Sequence, residues 1–167
     1  NISVKKVWED NNNQDGKRPI EVNVQLKANG EDVEGKIVKL STDNNWSYTF
    51  TGLAKKINGV EINYTVEEKT VTEGYTTNIT GNMTNGFIIT NSHIPERISI
   101  PIKKVWDDNN NQDGKRPTNI TIMLKANGEE IDGRTIQLKG TGNEWTYTFS
   151  DLPKYSNGNE IKYTIEE

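Results

Sequence analysis

An all-β protein of two tandem β-sandwich domains is the fold class this sequence predicts, and three observations predict it. The first is internal duplication. Lys6-Val7-Trp8 returns as Lys104-Val105-Trp106, Gln14 to Pro19 returns as Gln112 to Pro117, and Leu26 to Gly30 returns as Leu124 to Gly128, all at one offset of 98 residues. After a one-residue insertion, Trp46, Phe50, Leu53, Tyr64 and Glu68 correspond to Trp145, Phe149, Leu152, Tyr163 and Glu167. A repeat of this kind sets the domain organisation before anything else does. The second observation is a period of two in apolar residues almost throughout the first copy, with no helical periodicity of useful length to compete with it. The third is the placing of Asn29-Gly30, Asn58-Gly59, Gly81-Asn82 and Asn85-Gly86, pairs that tight reversals favour because both residues tolerate positive φ.

Taken in order, the first copy reads as strands near 2–8, 20–27, 36–40, 45–50, 60–68, 75–80 and 86–91. Their inward faces are Ile20, Val22, Val24 and Leu26; Trp46, Tyr48 and Phe50; Ile62, Tyr64 and Val66; Phe87 and Ile89. The tryptophans and tyrosines read as packing residues of half-buried strands. Seven short strands in about 95 residues have the size and rhythm of an immunoglobulin-like sandwich, long enough to bury a core. Ser92 to Arg97 separates the copies, giving a first domain at 1–93, a short linker at 94–97 and a second domain at 98–167 that lacks its last strands. Pro95 stiffens this linker, so a semi-rigid rod is expected, and His93 in it is expected to be solvated.

Composition narrows the function classes. The chain has 167 residues, 31% hydrophobic, with four Trp, six Tyr and regularly spaced Val and Ile; that content separates it from disordered chains despite a mean hydropathy of -0.83. A net charge of -4 with lysines and acids interleaved leaves no nucleic-acid footprint and no basic membrane-binding face. No apolar run could span a bilayer and no signal peptide is visible, so the sequence reads as a soluble segment excised from a longer protein. Cysteine is absent and His93 is the only histidine. Disulfides, thiolate zinc sites, cysteine nucleophiles and multi-histidine metal sites are therefore excluded, and no cofactor is expected.

One residue breaks the pattern. On alternation Val4, Lys6 and Trp8 share a face, and in the second copy Ile100, Ile102, Lys104 and Trp106 do, so each apolar face carries one lysine. Lysine is almost never fully buried without a partner. Two partners follow from the same alternation: Glu68, on the face of Tyr64 and Val66, and Asn91, on the face of Phe87 and Ile89. Each strand ends its apolar face with one polar residue. Burial disfavours charged forms, so a neutral amine and a neutral acid can coexist there. The amine is then a nucleophile towards the Asn91 carboxamide, with Glu68 polarising its carbonyl and passing protons until ammonia leaves. The residues alone leave two outcomes open: this reaction, or a buried Lys-Glu ion pair with Asn91 as a hydrogen-bonding neighbour.

The ordered set Lys6-Val7-Trp8, Trp46-Ser47-Tyr48-Thr49-Phe50, Tyr64-Thr65-Val66-Glu67-Glu68 and Ile89-Thr90-Asn91 resembles the Cna B-type repeat domain of Gram-positive surface adhesins and pilins. The resemblance covers essentially the whole chain. It implies that Lys6 and Asn91 form an intramolecular isopeptide bond assisted by the acid Glu68. The second copy keeps Lys104 and the equivalent acid Glu167, but residues matching 69–92 are missing, so Lys104 is expected to stay unpaired with any asparagine and the sheet edge beside it to stay open. Asp10 to Gly16, repeated as Asp108 to Gly114, spaces Asn11, Asn13, Asp15 and Gly16 like a calcium loop, without the closing glutamate; the same residues are ordinary turn formers. The Asn-x-Ser/Thr sequons, such as Asn63-Tyr64-Thr65, carry no functional weight.

These features bear on three functions. The first is a structural stalk or spacer of a bacterial surface adhesin, extracellular and anchored to the cell wall through a region not present here. Its partners are neighbouring repeats of the same protein, with a host extracellular-matrix protein bound elsewhere, no nucleic acid and no membrane insertion. The second is a set of repeats that themselves bind a matrix protein or a partner subunit, which predicts copy-to-copy differences on an exposed surface. The third, a turnover enzyme, has no second nucleophile-and-base set to support it; the trio would react once and be consumed.

Overall fold

In the computed structural model, alternation over β1 (Ile2–Glu9) turns Ile2, Val4 and Lys6 inward and leaves Ser3 and Lys5 exposed. All residues from Asn1 to Glu167 are described. The chain divides into two units, Asn1–Ile94 and Pro95–Glu167.

The first unit continues with β2 (Glu21–Ala28), β3 (Glu31–Ser41), β4 (Ser47–Phe50), β5 (Lys56–Ile57), β6 (Val60–Glu61), β7 (Tyr64–Glu68), β8 (Thr76–Asn82) and β9 (Gly86–Ser92). One sheet has the order β4-β1-β9-β8, the other β3-β2-β7, and β5-β6 is a separate hairpin. The β1-β9 pair is parallel, matching Lys6 with Ile89 and Trp8 with Asn91, while β2-β7 is antiparallel and sets Val24 opposite Glu68. Between the sheets lie Ile2, Val4, Phe50, Phe87 and Ile89 from one side and Val22, Val24, Leu26, Leu40 and Val66 from the other. Val24, Leu26, Leu40 and Ile89 are fully buried, each contributing about 1.5–3 kcal/mol of transfer free energy. The sandwich therefore places the ends of β1, β9 and β7 around one dry corner.

Several local expectations change. Ile20 is 86% exposed, because the strand begins only at Glu21 and the bend after Pro19 lies outside the pleat. Tyr48 is 43% exposed; it sits on β4, an edge strand, with the Phe50 ring edge-on to its own at 5.1 Å. The strand expected at 45–50 starts at Ser47, because Asn45 and Trp46 both take positive φ after a 3-10 turn at Thr42–Asn44 capped by Ser41. Gly81-Asn82 is not a turn. Gly81 lies within β8 at φ 91°, where a Cβ would come 2.1 Å from the Gly86 carbonyl oxygen, and the reversal follows at Asn82, whose Oδ1 accepts from the Thr84 and Asn85 N–H groups.

The second unit repeats the plan with β10 (Arg97–Val105), β11 (Ile120–Ala126), β12 (Glu129–Leu138), β13 (Glu144–Pro153), β14 (Tyr155–Ser156), β15 (Asn159–Glu160) and β16 (Tyr163–Glu166). Its core holds Ile102, Ile120, Ile122, Leu124, Leu138, Trp145, Phe149 and Leu152. Here β10 pairs with β13 alone, and the second sheet is β12-β11-β16. Proline at 101, which has no N–H to give, is tolerated on such an edge strand. Both units thus form the immunoglobulin-like β-sandwich architecture expected of the sequence, and their regular elements are strands apart from one 3-10 turn. No helix is long and apolar enough to cross a membrane.

Candidate functional site

Lys6, Glu68 and Asn91 meet at the dry corner of the first unit. Lys6 and Asn91 come from neighbouring parallel strands, and Glu68 reaches them from the opposite sheet. The residues are 3%, 6% and 1% exposed respectively. Asn91 Nδ2 donates to Glu68 Oε1 at 2.9 Å. Lys6 Nζ lies 3.7 Å from Glu68 Oε2, with both side chains wholly buried, and neither Lys6 Nζ nor Asn91 Oδ1 has a hydrogen-bond partner. Burial pulls the Lys6 amine down to about 8 from its ordinary 10.5, partly offset by the nearby Glu68 carboxylate. An unsatisfied amine beside an unsatisfied carboxamide oxygen is costly to keep. Glu68 touches the amide nitrogen of Asn91, the side from which ammonia would leave, whereas the sequence reading had it act on the carbonyl.

The surroundings exclude water with aromatic rings. Lys6 Nζ sits 4.1 Å from the centroid of the Trp8 ring, which meets Trp46 and Tyr75 edge-on at 5.3 and 5.4 Å. Thr77, on β8, approaches Glu68 Oε2 at 3.5 Å.

Behind Trp8 lies a second buried polar cluster that sequence reasoning missed. Asp10 accepts from Arg18 Nε at 3.0 Å and Nη2 at 2.6 Å, from the Tyr75 hydroxyl at 2.7 Å and from the Asn13 N–H at 2.9 Å. Burial pushes the Asp10 carboxyl up, but its bonds to Arg18, Tyr75 and Asn13 outweigh burial and hold it at about 2. The signal was present in the duplication. The eight-residue Asp10–Arg18 spacing recurs as Asp108–Arg116, and that pair is also joined, through Arg116 Nε to Asp108 Oδ2 at 2.9 Å.

The Asn-rich loop carries its carboxylates away from any common centre. Asn11, Asn12 and Asn13 all take positive φ, Asp10 is bound to Arg18 and Tyr75, and Asp15 Oδ2 lies 2.7 Å from His93 Nε2. No group of three or more His, Asp or Glu side chains that could hold a metal occurs in the chain. The histidine also overturns an expectation: its side chain is 7% exposed where a solvated linker residue was expected. The β1-β9 ladder does not stop at Ser92, because the His93 N–H donates to the Glu9 carbonyl at 2.9 Å, and the ring is folded back onto Tyr75 at 5.2 Å.

In the second unit Lys104 and Glu167 also meet. Lys104 Nζ donates to Glu167 Oε2 at 2.8 Å, with side chains 25% and 51% exposed, and sits 4.6 Å from the Trp106 centroid. The lysine, acid and indole of the first unit are all reproduced, in contact with solvent and with no asparagine beside them.

The sequence profile of the Cna protein B-type domain matches residues 2–92 and again residues 100–167. The chain belongs to the Cna B-type domain family. Collagen adhesin of Staphylococcus aureus is 48% identical over 165 residues, covering 99% of this chain and 14% of that protein, so the chain spans only a small part of the relative's length. The crystal structure of two B repeat units of the collagen binding protein of Staphylococcus aureus superposes with a TM-score of 0.82 at 46% identity, covering 98% of this chain and 43% of that one. A single B repeat unit of the same protein is 44% identical, with a TM-score of 0.49 and coverage of 98% of this chain and 82% of that one. The two Cna B-type domains found here in tandem are thus similar to repeats of a surface adhesin.

Proposed function

We propose that these Cna B-type domains are stalk or spacer repeats of an extracellular, cell-wall-anchored bacterial surface adhesin, and that the first seals itself with an isopeptide bond between Lys6 and Asn91. The observation that carries this reading is the buried trio, in which a depressed amine, a carboxamide and a carboxyl group share one water-free corner. The neutral Lys6 amine attacks Asn91 Cγ. A new N–C bond forms, the bond from Cγ to Nδ2 breaks, and Glu68 takes a proton from the attacking nitrogen and hands one to the departing Nδ2, which leaves as ammonia. The reaction occurs once per domain, so the chain is not a turnover enzyme.

The bond would join the first strand to the last around a loop of about 86 residues, which the chain-entropy treatment of crosslinks values at roughly 4 to 5 kcal/mol. Tension entering at β1 and leaving at β9 would then run through a covalent link. In a chain without cysteine, this supplies what a disulfide supplies elsewhere. Intact-mass measurement tests the reading: the mass falls short of the sequence by one ammonia, and Lys6→Ala or Asn91→Ala restores it. A full-length mass in the unmodified protein would sink the crosslink.

One observation favours the second reading, repeats that bind a matrix protein or a partner subunit themselves. The β5-β6 hairpin exposes Ile57 and Val60 at 58% and 67%, where the second copy has Ser156 and Asn159, so this apolar tip is specific to one copy. Tight solution binding of the isolated pair of domains to extracellular-matrix proteins, abolished by Ile57→Ser with Val60→Asn, would move the assignment from spacer to binder.

A further inference from the structure

His93 is the only histidine in the chain, and it joins three segments two residues beyond the crosslinking Asn91. Its Nε2 lies 2.7 Å from Asp15 Oδ2 in the Asn-rich loop. Its Nδ1 lies 2.9 Å from the Gly74 carbonyl oxygen in the segment leading into β8. Its backbone N–H extends the β1-β9 ladder to Glu9, next to the Ser92 hydroxyl, which donates to Glu9 Oε2 at 3.1 Å. The ring packs on Tyr75, whose hydroxyl is tied to Asp10 and through it to Arg18. Beyond this point the chain leaves the unit at Ile94, which is 88% exposed.

The decisive feature is that both ring nitrogens face acceptors. A carbonyl oxygen cannot donate, and neither can a carboxylate. Neutral imidazole carries one N–H and would turn a lone pair against the second oxygen; only the imidazolium satisfies both contacts. Resting on the crosslinking function proposed above, we propose that protonated His93 is a positioning residue that clips the end of β9 in place and so seats Asn91 against Lys6 and Glu68.

The charged and titratable groups around the ring are Asp15 and Lys17 from the Asn-rich loop, Tyr75 before β8 and Glu9 at the end of β1, with Asp10 and Arg18 one contact further back. The bond to Asp15 raises the His93 pKa above 6.5; burial and the Lys17 charge oppose this, and the Gly74 carbonyl adds to it. With the folded value raised, the clip's stabilisation is fully present below about pH 6.5 and is lost as pH rises through the folded pKa. The amine needs the opposite change, since neutral Lys6 accumulates towards pH 8. Seating and nucleophilicity therefore respond to pH in opposite directions.

The test uses NMR on the full chain, in wild type and in the unreactive variant Lys6→Met, which keeps Asn91. The Cε1 proton of the single histidine should titrate above pH 6.5, and Asp15→Asn should lower its midpoint by about one pH unit, a tenfold change in proton affinity. In Lys6→Met the Asn91 side-chain amide signal should follow the same midpoint. Protection of the His93 backbone amide, corrected for intrinsic exchange, should fall about tenfold above that midpoint; the pH dependence of both readouts should vanish in Lys6→Met with His93→Gln. A His93 midpoint at or below 6.5 overturns the clip, and so does an Asn91 amide signal indifferent to it. Failure of the crosslink itself is read separately, as an undiminished wild-type mass with the His93 titration unchanged.

Discussion

The two units carry the same lysine, the same acid and the same indole, and differ in what water can reach. Lys6 is sealed between sheets, 3.7 Å from Glu68 and without a hydrogen bond; Lys104 is a quarter exposed and donates directly to Glu167 at 2.8 Å. The first is a desolvated neighbourhood, in which burial has shifted the amine towards neutrality. The second is an ordinary surface ion pair. What separates them is the pair of strands β8 and β9, which close the sheet over Lys6 and bring Asn91, while β10 pairs with β13 alone. In the proposed crosslinking, reactivity at the Lys-Val-Trp motif would therefore be a property of the closed sandwich, with the motif supplying only the nucleophile.

The largest effect should come from giving the second unit what the first has. Extending the chain after Glu167 with a copy of residues 69–92 should bury Lys104, place an asparagine beside it and produce a second loss of ammonia by intact mass. If Lys104 stays unreacted inside a folded extended unit, burial is not the deciding variable. Next in size, Asn91→Ala should leave the first unit folded but lower its unfolding free energy by roughly 4 to 5 kcal/mol through the lost loop constraint, measured by chemical denaturation.

A third effect is one of pH. In Asn91→Ala the unreacted Lys6 has a folded pKa of about 8 against 10.5 unfolded. Between those values the unfolded state binds more protons, so the stability of Asn91→Ala relative to Asn91→Ala with Lys6→Met should rise as pH is taken from about 8 to 10.5, by up to about 3 kcal/mol. A downward slope would contradict the burial of the amine. The smallest effect is expected at Lys104→Ala, where loss of an exposed pair should cost less than about 1 kcal/mol and leave the mass deficit unchanged.

Much of this corner was legible in the sequence because a strand has a strict two-residue period: once Val4, Val66 and Ile89 are inward, Lys6, Glu68 and Asn91 must be inward too. Alternation fails where the pleat does. Ile20 precedes its strand, and Tyr48, expected inward, lies exposed on the edge strand β4, whereas Trp46 packs against the core as expected. His93 and Tyr75 were beyond reach for a different reason. Their partners Asp15 and Asp10 are 78 and 65 residues away, and the second copy has no counterpart of either residue to reveal a shared constraint. The Asp10–Arg18 pair did leave a trace, in a spacing kept by both copies, but its acid stood among turn-forming asparagines and was read with them.

If closure of the sandwich converts an ion-pairing lysine into a bond-forming one, tandem mass spectrometry of a proteolytic digest will find the bond. A branched peptide joining the segments around Lys6 and Asn91 is expected, with Lys104 recovered only in linear peptides. Recovery of Lys6 and Asn91 in separate linear peptides would contradict it.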